Sequence, residues 1–164
     1  SKIKKTIRKF NRYPDGEYKK LKEAIGKKFN LPEANLFCGN GSDEIIEVDI
    51  DKWDISKRIK TEKGPYNVEI SPDGKYMVAT LKSVAKTAVW ELKSGDLIKT
   101  FDNSNSVPHG VAISSDSKYA FISVEGIGGE PGIVDVIDLE NKILVDKVEI
   151  GKQAGGIAFW KKDI

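Results

Sequence analysis

The residues with the clearest chemical potential form a glycine turn, Gly39–Glu44, which reads Gly-Asn-Gly-Ser-Asp-Glu. The apolar residues 36–38 before it predict a short buried strand, and Ser42 or Asp43 is placed to cap a short helix through Ile46. A glycine turn between a strand and a helix exposes backbone N–H groups at the positive end of the helix dipole, which suits a bound phosphate. By composition alone this signal is weak, because such turns are common.

Two basic helical patterns precede the turn. Residues 2–12 carry one apolar stripe between lysines and arginines, and residues 18–29 carry a second; Asp15 can cap that second helix, and residues 30–32 end it. Basic helices attract nucleic-acid phosphates without sequence preference. A solvated lysine face is favoured here, because there is no arginine cluster and the aromatic residues lie on the apolar stripes. We therefore expect no nucleic-acid partner.

Three segments in this region have a familiar order and spacing: residues 11–15 (Asn-Arg-Tyr-Pro-Asp), residues 18–25 and residues 36–44. Together they resemble the N-terminal part of histidinol-phosphate aminotransferases, which are fold-type I pyridoxal-phosphate (PLP) enzymes, over roughly residues 3–47. The resemblance implies that the turn binds the cofactor phosphate and that a tyrosine approaches it from the neighbouring subunit. The cofactor-binding candidates that it implies are Asn40, Gly41, Ser42, Asp43 and Tyr13.

The same resemblance argues against catalysis. The family needs a lysine for the Schiff base, an aspartate for the pyridine nitrogen and an arginine for the substrate carboxylate, all far downstream in a large domain that this chain does not keep. A phosphate cradle alone cannot run covalent PLP chemistry. We therefore expect no enzyme, no catalytic residues and no cofactor beyond a vestigial PLP-phosphate site.

An internal repeat dominates the rest of the chain. Residues 65–76 align with residues 108–119 at an offset of 43, and residues 154–159 begin a third copy. A period near this length with four strands per unit is the signature of β-propeller blades. Residues 48–164 resemble YVTN-type propeller repeats, which are close in style to WD40 blades. Strands are predicted at 66–71, 75–81, 86–92, 97–101, 109–113, 118–124, 133–138 and 143–149, with two outer strands within 47–60 and one inner strand at 154–160.

The predicted fold class is α+β, with two parts. Residues 1–47 form an aminotransferase-like helical segment with a short strand, and residues 48–164 form two to three four-stranded antiparallel blades. Propellers close with roughly four to eight blades, so we expect an incomplete propeller. Its open blade edges would be exposed, and a homo-oligomer could form through them.

Few side chains in the repeat region have the chemistry of a site. His109 lies at the start of an innermost strand, where it could be a general base or an axial ligand, but the adjacent Pro108 and Gly110 favour a structural role. Asp73 and Asp116 occupy equivalent turns and are expected to form Asx motifs. One cysteine and one histidine in the whole chain make a zinc-type cluster impossible, so no metal site is expected.

The charge is split between the two parts. The chain has 27 basic and 25 acidic residues, yet residues 1–30 hold 11 of the basic and three of the acidic ones. The remainder is therefore acidic overall, with 16 basic residues against 22. The composition is that of a soluble globular protein, with no apolar run long enough for a membrane helix and no apolar segment after Ser1–Lys5 that would make a signal peptide. No membrane partner is expected, and no compartment is assigned.

Two incomplete parts with unrelated resemblances meet near residues 44–50. We therefore interpret the chain as an engineered chimera with no evolved catalytic function, a folding or structural protein. One alternative is a phosphate- or PLP-binding module that acts through residues 39–43. The other is a fragment of a natural YVTN-type propeller binding protein.

Overall fold

A computed structural model of the chain describes residues 18–33, 36 and 43–160. The predicted helix over 2–12, the predicted cap Asp15, and Phe37 and Cys38 of the predicted strand lie outside these residues. The described part contains one α-helix, a 3-10 turn at Lys82–Val84 and ten strands. The bounds are α1 Lys19–Phe29, β1 Glu44–Asp49, β2 Asp54–Lys60, β3 Pro65–Ile70, β4 Tyr76–Leu81, β5 Lys86–Glu91, β6 Leu97–Asp102, β7 Val107–Ile113, β8 Tyr119–Glu125, β9 Gly132–Asp138 and β10 Ile143–Ile150.

The chain divides into two compact units, which are described separately. The first contains residues 1–40 and 46–56, and the second contains residues 41–45 and 57–164. In the first unit α1 forms where the apolar stripe predicts it. The helix ends as expected, because Asn30 adopts a left-handed conformation and the N–H of Leu31 donates to the Gly26 carbonyl over 3.0 Å.

The second unit contains two four-stranded antiparallel sheets, each a meander of consecutive strands. Blade 1 has the order β3-β4-β5-β6, and blade 2 has the order β7-β8-β9-β10. All eight strand predictions for these blades are confirmed to within two residues. The two predicted outer strands are confirmed as β1 and β2, which form a separate two-stranded sheet. In the described residues the sheets do not close into a propeller.

The described residues are mostly β, with α1 as their single α-helix. Two expectations within them are wrong. The predicted short helix from Ser42 or Asp43 through Ile46 is instead strand β1, because β-branched residues lose χ1 freedom in a helix and fit a strand. Residues 154–160 are not a strand, because no described strand pairs with them in a ladder.

The two blades pack face to face through a shared core. Residues that pair across neighbouring strands point to the same side of a sheet, so each blade has two distinct faces. We call the face of blade 1 that carries Val78, Val89 and Phe101 its trailing face. It packs on the leading face of blade 2, which carries Val111 and Ile113 on β7. The buried residues of this inter-blade core are Val78, Val89, Phe101, Val111, Ile113, Ala120, Ile122, Val124, Ile137 and Leu139.

A second core lies on the leading face of blade 1, which carries Val68, Ile70 and Met77. Ile59 of β2 covers the part of this face that β4 and β5 form, and Ile45 of β1 packs at its margin. The buried residues of this second core are Ile59, Met77, Ala79, Leu81, Ala88 and Trp90. Each fully buried aliphatic side chain contributes about 1.5–3 kcal/mol, so the two cores together carry most of the stability of this unit.

The turns between the first two strands of each blade are built alike. In blade 1 the Ser71 hydroxyl donates to Asp73 Oδ1 over 2.7 Å, and the Lys75 N–H donates to the same oxygen over 3.1 Å. In blade 2 Ser114 and Lys118 make the same two bonds to Asp116, over 2.6 and 3.1 Å. The Asx motifs predicted at Asp73 and Asp116 are therefore confirmed.

These hydrogen bonds favour the ionised carboxylates. The Ser71 hydroxyl, followed by the Lys75 N–H, lowers the pKa of Asp73 below its ordinary value of 3.8. The Ser114 hydroxyl and the Lys118 N–H lower the pKa of Asp116 in the same way. The blade 1 turn also docks on the blade 2 turn, because the Asp73 N–H donates to Ser117 Oγ over 3.0 Å.

The lowered pKa values predict an acid-dependent loss of stability. A carboxyl whose pKa falls on folding stabilises the protein above its unfolded pKa, and this contribution is lost as the pH falls through the folded pKa. The variant Asp73→Asn keeps an acceptor oxygen but loses the charge. We expect it to be less stable than the parent at about pH 7 and to approach the parent's stability well below pH 3.8. Urea unfolding midpoints across this range measure the difference.

Asp51→Asn, at an exposed carboxylate, removes the same charge and controls for the change in net charge. An Asp73→Asn deficit that stays constant from neutral to acid pH would show that the carboxylate charge does not stabilise the turn.

Gly74 predicts a second, purely backbone effect. Its φ of 70° lies in the left-handed region, and an added Cβ would meet no atom within 4 Å. Gly74→Ala should therefore cost about 1 kcal/mol through backbone strain alone. A Cβ added at Gly156 would also meet open space, but this glycine has no positive φ, so Gly156→Ala should leave the free energy of unfolding nearly unchanged. Equal effects of the two substitutions would contradict the strain argument.

Candidate functional site

The glycine turn cannot be assembled into a phosphate site from the described residues. Four of the five cofactor-binding candidates, Tyr13, Asn40, Gly41 and Ser42, lie outside them. The fifth, Asp43, is partly buried, and its carbonyl accepts a hydrogen bond from the Thr61 N–H over 3.0 Å. Asp43 therefore anchors the start of β1 through its backbone.

The element that follows the turn does not suit a phosphate. A helix N-terminus would offer unsatisfied N–H groups and a positive dipole end. Residues 44–49 form strand β1 instead, and Glu44 at its start accepts the Arg58 guanidinium on both carboxylate oxygens, each at 3.0 Å. The helix expected after the turn is therefore replaced by a strand, and the phosphate-binding role of residues 39–43 stays a prediction.

Four polar or aromatic side chains meet at one end of the two blades. Tyr66 is the second residue of β3, Lys82 follows β4, His109 lies near the start of β7, and Glu125 ends β8. Because β3 runs antiparallel to β4 and β7 to β8, the start of each inner strand lies beside the end of the next. We call these four residues the rim cluster.

The His109 ring is the centre of the rim cluster. Its Nε2 lies 2.7 Å from Glu125 Oε2 and 3.4 Å from Lys82 Nζ, and the ring meets the Tyr66 ring edge-on at 5.3 Å. The Lys82 ammonium also lies 4.4 Å from the centre of the Tyr66 ring, within cation–π range. The cluster therefore links blade 1, through Tyr66 and Lys82, to blade 2, through His109 and Glu125.

The geometry assigns the proton on His109. A carboxylate only accepts hydrogen bonds, so Nε2 must carry hydrogen and donate to Glu125. Lys82 Nζ cannot donate to the same nitrogen, and its favourable contact is with the Tyr66 ring. A histidine oriented by a carboxylate can act as a general base, but no described hydroxyl or thiol hydrogen-bonds to this ring. The arrangement is that of an inter-blade clamp, in agreement with the structural role expected for His109.

Sequence reasoning singled out His109 but missed its three neighbours. The repeat itself carried the signal, since Tyr66 and His109 are 43 residues apart, as are Lys82 and Glu125. These are equivalent positions in the two blades, with opposite charges at the second pair. Applying the offset to charged residues at strand ends would have found the cluster.

Asp135, on β9, is a second polar site that the sequence did not reveal. Its side chain is fully buried and accepts hydrogen bonds from the Ser104 N–H at 2.9 Å, the Asn103 amide at 3.1 Å and the Ser104 hydroxyl. Asn103 is itself hydrogen-bonded to Thr87 of blade 1. A buried charge requires such partners, and here they fix the connection between the blades. This carboxylate is therefore a structural anchor.

Two further classes of site are absent from the part of the chain that the structure describes. It holds no group of three or more histidine, cysteine, aspartate or glutamate side chains that could bind a metal. Its single α-helix is neither long nor apolar enough to cross a membrane.

Comparison with known proteins finds two unrelated similarities. No family model matches the chain. Histidinol-phosphate aminotransferase from Desulfitobacterium hafniense is 49% identical over 39 residues, which are 24% of this chain and 11% of the enzyme. The enzyme from Clostridium novyi is 34% identical over 84 residues, 51% of this chain and 22% of the enzyme. The chain thus spans between a tenth and a quarter of the length of these relatives.

The longer match does not stop at residue 47. Because only 47 residues precede that boundary, at least 37 of the 84 matched residues lie after it. Identity is 46–50% in matches of 38–44 residues and falls to 34% over the longer one. The similarity to aminotransferases is therefore concentrated in a short segment.

Solved structures resemble the blades. The Kuenenia stuttgartiensis hydrazine synthase structure superposes with a TM-score of 0.63 at 27% identity, covering 70% of this chain and 33% of that one. The WD40 repeats of RRP9 give a TM-score of 0.62 at 18% identity, covering 72% and 36%. Apo AztD from Citrobacter koseri gives 0.58 at 14% identity, covering 72% and 33%. WD40 repeats are propeller blades, so the fold of residues 65–150 is propeller-like.

The rim cluster generates a prediction about stability. Both side chains of the His109–Glu125 pair are less than one-third exposed, at 18% and 27%. A double-mutant cycle of His109→Ala and Glu125→Ala should give a coupling of about 1 kcal/mol in denaturant unfolding, because each variant alone leaves a partly buried polar group unpaired.

The exposed Lys52–Asp49 pair, whose lysine side chain is 79% exposed, provides the comparison. Its cycle should give a smaller coupling, because solvent screens an exposed ion pair. A His109–Glu125 coupling no larger than that of the exposed pair would show that this contact within blade 2 does not stabilise the rim cluster.

Proposed function

We propose that this chain is an engineered chimera, in which an aminotransferase-like segment is joined to propeller-like blades, and that it has no catalytic function. One observation carries the proposal. Most aminotransferase matches are 38–47 residues long and cover 10–13% of those enzymes, whereas residues 65–150 fold as antiparallel blades.

The charged groups described in the blades do not form the arrangement that covalent PLP chemistry needs. Covalent PLP chemistry needs a lysine placed against the cofactor aldehyde and a partner for the pyridine nitrogen, held around a phosphate anchor. The charged groups that the blades bring together are instead structural. Glu125 orients His109 within blade 2, Asp135 fixes the connection at Ser104, and Glu44 pairs with Arg58. These contacts support a role in folding or structure.

A second candidate rests on a different observation. The 27% identity to the Kuenenia stuttgartiensis hydrazine synthase structure covers 70% of this chain, whereas the Clostridium novyi aminotransferase match covers 51%. This favours blades that derive from a natural propeller protein, of which they would be a binding fragment. Fold alone does not specify a ligand, so this candidate names a class of protein and no substrate.

The origin of the segment that joins the two parts, residues 30–70, distinguishes the engineered chimera from the natural propeller fragment. A natural genome that encodes residues 30–70 in one continuous reading frame would overturn the engineered chimera and support a natural propeller protein. Finding the aminotransferase-like segment and the propeller-like blades only in separate natural genes would support the chimera.

The proposal also predicts how the chain responds to a PLP analogue. Pyridoxamine phosphate is the suitable probe, because it carries the phosphate and ring but lacks the aldehyde, which reacts with exposed lysines. We expect no saturable NMR shift at Gly41 or Ser42 at about 1 mM ligand, which corresponds to binding weaker than about −4 kcal/mol. The physical reason is that β1, and not a helix N-terminus, follows the turn.

Ser42→Ala is the matched control, because it removes the hydroxyl that would contact the phosphate. Saturable shifts in the parent that disappear in Ser42→Ala would establish the phosphate-binding alternative in residues 39–43 and contradict the prediction.

A further inference from the structure

The two outward faces of the blade pair carry exposed apolar residues. The equivalent residues on the two faces that meet between the blades are buried. Val68 and Ile70 on the leading face of blade 1 are 47% and 52% exposed. Their equivalents in blade 2, Val111 and Ile113, lie 43 residues later and are only 4% and 6% exposed. The difference arises because the trailing face of blade 1 covers the second pair.

The trailing face of blade 2, on the opposite side of the blade pair, shows the same difference in exposure. Phe101 pairs with Thr87 on the trailing face of blade 1 and is 7% exposed. Val148 pairs with Val134 at the matching place in blade 2 and is 47% exposed. Tyr119, the equivalent of the partly buried Tyr76, is also exposed. The trailing face of blade 2 is therefore exposed at positions whose equivalents on the trailing face of blade 1 are covered by blade 2.

Each outward face is partly covered by another segment of the chain. The covered part of one face corresponds to the open part of the other. On blade 1, Ile59 covers the part of the leading face over β4 and β5 and leaves β3 open. On blade 2, residues 154–160 lie over the inner strands, where Phe159 stacks on Phe121 at 5.9 Å and Ser123 donates to the Gly155 carbonyl. This leaves β10 open. The open patches thus lie on the inner strand of one face and the outer strand of the other.

We propose that a second copy of this chain covers these patches, with the trailing side of blade 2 in one copy packed on the leading side of blade 1 in the next. Residues 154–160 of the first copy would then cover Val68 and Ile70 of the second. The exposed side chains of Phe159 and Trp160 supply the apolar surface for this contact. In return, the strand that carries Ile59 in the second copy would cover Val148 in the first.

The contact between blade 1 and blade 2 indicates that a second copy of the chain covers the open patches. The inter-blade core pairs a trailing face with a leading face, so a copy brings the kind of surface that each open face packs against. Repeat arrays ordinarily end in polar capping faces, and Val68, Ile70 and Val148 are not polar. Because the two surfaces differ, the contact is head-to-tail, and it closes into a ring when the rotation per copy permits. Each copy then supplies its two blades and a share of one further layer, which residues 154–160 of one copy and the Ile59 strand of the next form together. A closed propeller of about four to eight blades therefore holds about two copies.

Sedimentation of the purified full chain across a range of concentrations tests the proposal. The parent should form a discrete oligomer that dissociates on dilution. Ile70→Lys blocks the leading face and Val148→Lys blocks the trailing face, and each should weaken association about a hundredfold because it places an unpaired charge in an apolar contact. Ile127→Lys, at an exposed apolar residue in the β8–β9 loop, is the matched control and should associate like the parent.

A mixture of the two blocked variants gives the sharper result. Each variant alone should be a monomer, because each keeps only one working face. Mixed, they should form a one-to-one heterodimer and nothing larger, since Ile70→Lys retains the trailing face and Val148→Lys retains the leading face. Thermal unfolding at a concentration at which the parent is dissociated shows whether these exposed positions tolerate lysine. A variant whose midpoint falls well below the parent's there is replaced by Ile70→Ser or Val148→Ser.

Three results would overturn the proposal. The first is a parent chain that stays monomeric at the highest concentration. The second is an oligomer that neither blocked variant weakens. The third is a blocked variant that still dimerises alone, since this requires two like faces to pack together.

Discussion

The structure of the second unit depends on one constraint, which is that an apolar blade face must be covered by another sheet. A single four-stranded meander has two such faces and cannot bury either by itself. Blade 1 and blade 2 solve half of this problem by sharing the core around Val78, Val89, Ile122 and Ile137. The inter-blade core sets how the two blades pack. The buried Asp135 and the Ser71–Asp73 turn then fix the connections between them.

The repeat made most of this fold predictable from the sequence. Alternating apolar residues and the 43-residue offset located the blade strands, because strand period and turn chemistry are local properties. The helix expected through Ile46 failed for a different reason. The capping residues favoured a helix, whereas the β-branched residues of the segment, its pairing with β2 and the Glu44–Arg58 contact favour a strand. The β-branched residues were thus a local signal for the strand, which the capping residues outweighed in the prediction.

The site was harder to predict than the fold, since a clamp depends on register. His109 drew attention as the single histidine, but its partners became visible only once Lys82 and Glu125 were placed at the ends of equivalent strands in the two blades. The Asp135 network was hidden for the same reason, because its donors at Asn103 and Ser104 lie 31–32 residues earlier in the chain. The charge split of the sequence, by contrast, carries information about the two parts of the chain and none about these contacts.

The opposite charges at the equivalent positions Lys82 and Glu125 have a consequence for how the chain folds. Two blades of similar sequence invite mispairing, in which a blade packs on a copy of itself or exchanges strands with its neighbour. Packing like on like would bring Lys82 beside another Lys82, or Glu125 beside another Glu125, and both arrangements are repulsive. The alternating order instead places Lys82 of blade 1 beside His109 of blade 2, whose other neighbour is the oppositely charged Glu125. The opposite charges at these equivalent positions thus favour the alternating order of blades over the packing of like on like.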